Sequence, residues 1–159
     1  MAANQEPERL AAAVNLLLTA RSGVLATLHE GMPHASLVTP GLDDEGQPVL
    51  LLSDLAAHTS HLRANPACAL LVTGAAQTEN PQTAPRLCLR GEAKATTAAE
   101  VRERFLRIHP YAAQYVDFGD FNFWTIVVAQ VQYIGGFANA SHLDVAALQH
   151  EICARLRDA

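Results

Sequence analysis

Six apolar segments of strand length follow one another along this chain, and little helical sequence separates them. Neighbouring strands of a parallel sheet need a crossover of a dozen or more residues, usually a helix, whereas antiparallel strands join through short turns. Turns rich in Gly, Pro and Asp separate the first three segments, which is typical of hairpins. The pattern predicts a mainly β fold with flanking helices, namely a six-stranded antiparallel barrel. The segments are residues 23–28, 34–39, 49–53, 67–73, 86–96 and 121–137.

Helices are predicted at both ends of the chain. Residues 6–20 place Leu10, Val14 and Leu17 on one face, and residues 143–157 form an amphipathic closing helix. Shorter helices are expected at residues 58–65, which Pro66 ends, and at residues 98–108 and 110–118. Because the chain has 159 residues and half of them are hydrophobic, we expect a single domain over residues 1–159.

Charge and cysteine content narrow the function classes. The formal charge of −5 disfavours nucleic acid as a partner, because phosphate binding relies on a basic surface. No apolar run approaches the length of a membrane span, so no membrane contact is expected. The cysteines, Cys68, Cys88 and Cys153, are far apart and odd in number, which argues for reduced thiols. Together these features predict a cytoplasmic protein.

Residues 50–66 place polar groups at a strand-to-helix junction. The apolar strand ends at Ser53, and the short helix after it carries His58, Thr59, His61 and Arg63. Hydroxyls, imidazoles and the N–H groups of a helix start can hold a phosphate or another anion, although the same pattern also fits an ordinary capped helix. The two histidines are three residues apart, so they share a helix face, but a metal site would need a third ligand.

Four short motifs occur in this chain, and their order and spacing are specific when the motifs are taken together. They are GVLATL at 23–28, ASLV at 35–38, LSDLAAHT at 52–59 with NP at 65–66, and a last stretch from HP at 109–110 through FGDF at 118–121 to YIGGF at 133–137. In these motifs, over residues 8–148, the chain resembles the FMN-binding split-barrel superfamily, which includes pyridoxamine 5′-phosphate oxidase. Within it, the chain most resembles the haem-utilisation (HugZ-type) branch. The resemblance implies a six-stranded antiparallel split β-barrel.

The resemblance also implies a homodimer with two cofactor sites at the subunit interface. The strand at residues 35–38 would lie along the flavin ring, the segment at residues 52–53 would touch it, and the following turn and helix would hold the phosphate. The implied FMN-binding residues are Ala35, Ser36, Leu37, Val38, Leu52, Ser53, His58 and Thr59.

Two positions depart from the family pattern. Family members often carry an arginine near Ala35 or Ser36 and a lysine near His58, and both charges are missing here. A phosphate prefers Arg or Lys as its counter-ion, so we expect either weak flavin binding or an Arg63 that supplies the missing charge. The leading hypothesis is therefore an FMN-binding oxidoreductase that acts on an unknown small-molecule substrate. No catalytic side-chain motif is visible, so a bound cofactor would supply the chemistry.

Haem binding is the alternative hypothesis. Haem-degrading relatives hold the iron through a histidine in the C-terminal part, and the candidates here are His109, His142 and His150. Asp120 matches a position that is acidic in those relatives and is expected to orient the ligand. The missing basic residues leave a third possibility, a non-catalytic dimeric module.

Overall fold

The computed structural model describes residues 5–136 and 139–158. In these residues, four α-helices and eight β-strands form. The helices are α1 Glu6–Thr19, α2 Ala57–Ala64, α3 Ala99–Ile108 and α4 Val145–Arg157. The strands are β1 Gly23–His29, β2 Met32–Val38, β3 Pro40–Leu42, β4 Pro48–Ser53, β5 Ala67–Thr73, β6 Arg86–Thr96, β7 Phe121–Ile134 and β8 Ala140–Leu143. None of the described helices is long and apolar enough to cross a membrane.

All eight strands belong to one curled antiparallel sheet. Its order is β2-β1-β5-β6-β7-β4-β3, and β8 pairs with β7. The strands at the two ends of this path, β2 and β3, are joined by Thr39 alone. Consecutive Cα atoms are about 3.8 Å apart, so the last Cα of β2 lies within about 8 Å of the first of β3. The sheet must therefore curl into a half-barrel, which confirms the prediction of a mainly β, antiparallel fold with flanking helices.

The predicted count of six strands is not confirmed. The two additional strands, β3 and β8, have three and four residues, too few to show an alternation of apolar and polar side chains. β7 ends at Ile134, and Phe137, the predicted end of this strand, lies outside the described residues. The pairing of β6 with β7 shifts register between Arg90 and Gly91.

Two hydrophobic clusters cover both faces of β4. Leu50 and Leu52 point into the main core, which α1 and α4 also line. Val49 and Leu51 pack in a smaller cluster with Phe105 of α3. Because the clusters bury the strand from both sides, β4 is fixed, and it delivers Ser53 to a defined position where it leaves the core.

Candidate cofactor site at the end of β4

A cavity of about 350 Å³ lies where β4 leaves the core. Its walls come from β2, β4, the start of α2 and the segment that precedes β7. Most of the lining is apolar, and no lining residue is Lys, Arg, Asp or Glu. The lining residues are Ser22, Leu37, Val38, Thr39, Leu51, Leu52, Ser53, Ala56, His58, Tyr115 and Phe121.

Five of the residues expected to bind FMN line this cavity. They are Leu37, Val38, Leu52, Ser53 and His58. Of the others, Ser36 is not a lining residue, and its Oγ is 3.1 Å from Nδ1 of His58. Ala35 is exposed on β2 opposite Ala26. Thr59 is fully buried, and its hydroxyl donates to the carbonyl oxygen of Ser53 at 2.7 Å. Thr59 therefore fixes the junction from inside and does not itself face the cavity.

Arg63 does not bring its charge to the cavity. Its guanidinium donates to Oδ1 of Asp54 at 2.6 Å, and the side-chain amide of Asn122 donates to the same oxygen at 3.0 Å. The carboxylate of Asp54 thus neutralises the cation that we expected to replace the missing family residues. The described cavity lining contains no cationic side chain in its place.

Asp120 fixes the hydroxyl of Ser53. Ser53 Oγ donates to Oδ2 of Asp120 at 2.5 Å and accepts the backbone N–H of Leu55 at 3.1 Å. The backbone N–H of Asp54 also donates to the carbonyl oxygen of Asp120, at 2.6 Å. Since the proton of Ser53 is already donated, its oxygen offers the cavity an acceptor. Asp120 therefore acts on Ser53 and contacts none of the histidines proposed as haem ligands.

His58 presents a neutral imidazole to the cavity. Burial, followed by the charges of His34 and His61, holds its pKa below the usual value of 6.5. Its Nδ1 shares a hydrogen bond with Ser36, and no hydrogen bond to Nε2 is found among the described residues. A neutral imidazole with one nitrogen held and the other open is the state in which histidine ligates a metal.

The start of α2 has no side-chain cap. Ala56 occupies the N-cap position and offers no acceptor to the first turn, so the alternative of an ordinary capped helix is wrong. The first N–H groups of a helix have no partner within the helix. Because Ala56 and His58 also line the cavity, these N–H groups can hold an anionic end of a bound molecule.

His109 is a buried structural residue in this conformation. It is 0% exposed, and its Nε2 lies 2.9 Å from the carbonyl oxygen of Pro40. A carbonyl oxygen only accepts, so Nε2 carries a proton, and the hydroxyl of Tyr111 shares a hydrogen bond with Nδ1 at 3.2 Å. His142 and His150 are exposed on β8 and α4. The three histidines expected from the sequence therefore lie outside the cavity lining.

Tyr115 lines the cavity although sequence reasoning did not single it out. It packs against Phe121 with ring centroids 5.0 Å apart, and burial, followed by the charge of Tyr111, raises the pKa of its hydroxyl. Tyr115 directly follows a short 3₁₀-helix, Pro110–Gln114, which stands where the sequence predicts a helix over residues 110–118, and the matched positions 109–110 and 118–121 on either side were its only signal. Across the described residues, no group of three or more His, Cys, Asp or Glu side chains is arranged to hold a metal ion.

Known proteins resemble this chain in sequence and in structure. The Arabidopsis thaliana protein named "Non-canonical heme oxygenase HOZ, chloroplastic" is 40% identical over 124 residues, which are 74% of this chain and 37% of that protein. The chain thus spans little more than a third of this curated relative. A heme binding protein from Mycobacterium smegmatis is 29% identical, with a TM-score of 0.81 over 89% of this chain and 60% of that one.

The half-barrel is shared more widely. An FAD-binding protein from Mesorhizobium loti has a TM-score of 0.57 over 76% of this chain and 90% of that one, at 17% identity, a level that shows the fold alone. The family described as Pyridoxamine 5′-phosphate oxidase matches residues 10–135, which include the cavity and every strand from β1 to β7. The chain belongs to the pyridoxamine 5′-phosphate oxidase family, the split-barrel group that its motifs predict.

Proposed function

We propose that this protein binds haem in the cavity at the end of β4, with the imidazole of His58 facing the iron. The observation that carries the proposal is a neutral histidine in an apolar cavity that has no cationic side chain. Such a cavity suits a large apolar macrocycle with a metal at its centre. It suits a phosphate dianion poorly, because a phosphate prefers Arg or Lys.

The side chains around the proposed site have separate roles. Ser36 accepts the Nδ1 proton of His58, which orients the ring and leaves the Nε2 lone pair for the iron. Leu37, Leu52 and Phe121 would pack against the bound macrocycle. The uncapped N–H groups at the start of α2 would hold a propionate. When bound, haem supplies the oxygen and electron chemistry of its iron, which side chains alone do not provide.

Two relatives whose names mention heme support the same proposal. One is named a heme oxygenase and is 40% identical, and the other is named a heme binding protein and is 29% identical. We therefore propose haem breakdown as the reaction, which loss of the haem absorbance on addition of a reductant in air would test. Failure of this reaction with binding intact would leave haem storage or transfer as the function.

Haemin titration tests the binding proposal. Wild-type protein is expected to shift the Soret band with a stoichiometry of one haem per chain, and His58→Ala is expected to lose the histidine-ligand spectrum. His142→Ala and His150→Ala serve as matched controls, since both histidines are exposed outside the cavity. The proposal is refuted if His58→Ala keeps the wild-type spectrum and affinity.

A second copy of the chain is proposed to cover the outer face of the β1–β2 hairpin. Register pairs on this face join only apolar residues, and Val24, Leu28 and Leu37 are 39%, 37% and 78% exposed. Contiguous exposed apolar surface of this kind marks an interface. Leu37 also lines the cavity, so the second copy would complete its wall. The outward residues are Val24, Ala26, Leu28, Pro33, Ala35 and Leu37.

Sedimentation equilibrium tests the homodimer. Wild-type protein is expected at twice the mass of the chain, and Leu37→Asp at the mass of one chain. Val127→Asp is the control, because Val127 is an exposed apolar residue, 40% accessible, on β7. A monomeric wild-type protein, or a dimer unaffected by Leu37→Asp, contradicts this part of the proposal.

FMN binding is the second candidate function, with oxidoreductase chemistry at the flavin. The uncapped start of α2 beside Ser53 favours it, because this junction can receive a phosphate. His58→Lys separates the two candidates. If FMN is the cofactor, a lysine adds the missing counter-ion and tightens FMN binding; if haem is the cofactor, the same change removes the iron ligand. Unchanged FMN affinity would show that the phosphate is not bound at this junction.

A further inference from the structure

Three histidines meet between α2 and the β1–β2 hairpin, outside the cavity lining. The ring of His61, 8% exposed, stacks on that of His29 with centroids 4.8 Å apart and meets the edge of His34 at 5.0 Å. Its Nδ1 lies 3.0 Å from the hydroxyl of Thr27. Thr27 is directly opposite His34 in the sheet, so one face of the hairpin carries both partners. We call His29, His34 and His61 the histidine cluster.

We propose that the histidine cluster is a pH-sensitive latch, which holds α2 on the hairpin while its rings are neutral and releases α2 when they become charged. The stacked arrangement is favourable for neutral rings, and it tolerates one imidazolium on a neutral ring. Two imidazolium rings about 5 Å apart repel each other, because like charges disfavour the charged state of their neighbours. His61 therefore resists protonation while α2 is docked.

The groups that face His61 contain no opposing charge. β1 contributes His29, and β2 contributes His34. On α2 itself, His58 bonds to Ser36, and Arg63 is paired with Asp54. Glu30 is exposed at the turn between β1 and β2 and does not contribute to the lowered pKa of His61. Burial, followed by the charges of His29 and His34, lowers the pKa of His61.

Acid is therefore expected to open the latch. A released histidine has a pKa of about 6.5, above that of docked His61, so the released state binds more protons as the pH falls below about 6.5. The docked state is favoured above this pH. Its population decreases as the pH falls from about 6.5 to the lower pKa of docked His61. Each additional proton bound on release changes the ratio of released to docked α2 by up to about tenfold per pH unit.

Release of α2 would alter the candidate site. The same helix supplies His58 to the cavity wall, and the 3.1 Å contact from His58 to Ser36 joins α2 to β2. An opened α2 loses this contact and with it the orientation of the imidazole. This consequence rests on the proposed function, whereas the latch itself does not.

Hydrogen–deuterium exchange of the full chain at pH 7.5 and 5.5 tests the latch. After correction for intrinsic rates, exchange of the amides in α2 is expected to rise severalfold on acidification, up to about tenfold for one additional proton, and exchange in α4 much less. His61→Gln keeps a partner for Thr27 without a titrating ring, so its α2 amides are expected to respond to acid less than those of wild type, with the remaining response due to His58. His150→Gln, which alters an exposed histidine on α4, should keep the wild-type response.

Equal exchange of α2 at both pH values, or an acid response of His61→Gln equal to that of wild type, overturns the proposal. If His61→Gln does not fold, His29→Gln replaces it: loss of the stacked charge should reduce the acid response, and an unreduced response overturns the latch. Haemin affinity at the two pH values separates the two proposals. Acid-dependent exchange without haem binding supports the latch and refutes the haem site, and haem binding with invariant exchange does the reverse.

Discussion

Among the described glycines, Gly91 leaves the least room for a side chain. The bulge between β6 and β7 lies here, where Arg90 pairs with Gln130 and Gly91 with Val128. A Cβ at position 91 would lie 2.0 Å from the carbonyl oxygen of Val127 and 2.8 Å from its carbon. Since Cβ atoms essentially never approach another atom closer than 3.0 Å, Gly91→Ala must move the two strands apart by about 1 Å.

The expected cost follows from this displacement. Overpacking of a well-packed site costs about 1–3 kcal/mol, and a neighbouring ladder hydrogen bond that is lost adds about 1 kcal/mol. The alanine also reduces the conformational entropy of the unfolded chain, which offsets less than about 1 kcal/mol of this loss. The free energy of unfolding should therefore fall by about 2 kcal/mol, which lowers Tm by about 4–8 °C in a chain of this size.

Thermal and urea unfolding followed by circular dichroism measure this effect. Gly119→Ala is the matched control, because a Cβ at Gly119 has no atom within 4 Å, and its stability should stay within about 0.5 kcal/mol of wild type. If Gly91→Ala is as stable as Gly119→Ala, the close contact at the bulge is not rigid and the reasoning is refuted.

Three further predictions concern buried and titrating groups. His109→Phe should lose about 1–3 kcal/mol of stability in urea unfolding, because two hydrogen bonds lose their partner, with the haem spectrum unchanged; a lost Soret shift would contradict this. Burial raises the pKa of Cys68 to about 11, so iodoacetamide at pH 8 should label it far more slowly in folded than in urea-unfolded protein, and equal rates would contradict it. The free energy of unfolding should decrease as the pH falls below about 6.5, because the pKa values of His58 and His61 are lowered in the folded chain and the unfolded chain therefore binds more protons. Urea unfolding at pH 7.5, 6.5 and 5.5 measures this dependence, and a flat profile would refute it.

Long segments with a clear pattern could be predicted from the sequence. The apolar run of β4 and the short helix stopped by Pro66 both appear near their predicted places, and so does the cavity between them. β3 was not predicted, because its three residues follow Thr39 directly and resemble part of a turn. Such short strands are defined by pairing with β4, which only the folded chain supplies.

Side-chain partners could not be predicted, because they depend on contacts between distant segments. Arg63 has the right charge for a phosphate, yet it forms a salt bridge with Asp54. His109 has the right chemistry for a haem ligand, yet the carbonyl of Pro40, 69 residues away, occupies its Nε2. His61 approaches His29 and His34 only because the register of the hairpin places both on the face that α2 covers.

The most direct test of the central claim is the absorbance spectrum of haemin titrated into wild-type protein and into His58→Ala. We expect a saturable Soret shift with a histidine-ligand spectrum in the wild type, and loss of that spectrum in the variant. A wild-type spectrum that stays that of free haemin, or a shift that His58→Ala reproduces in full, would contradict the assignment of the cavity at the end of β4 as a haem site.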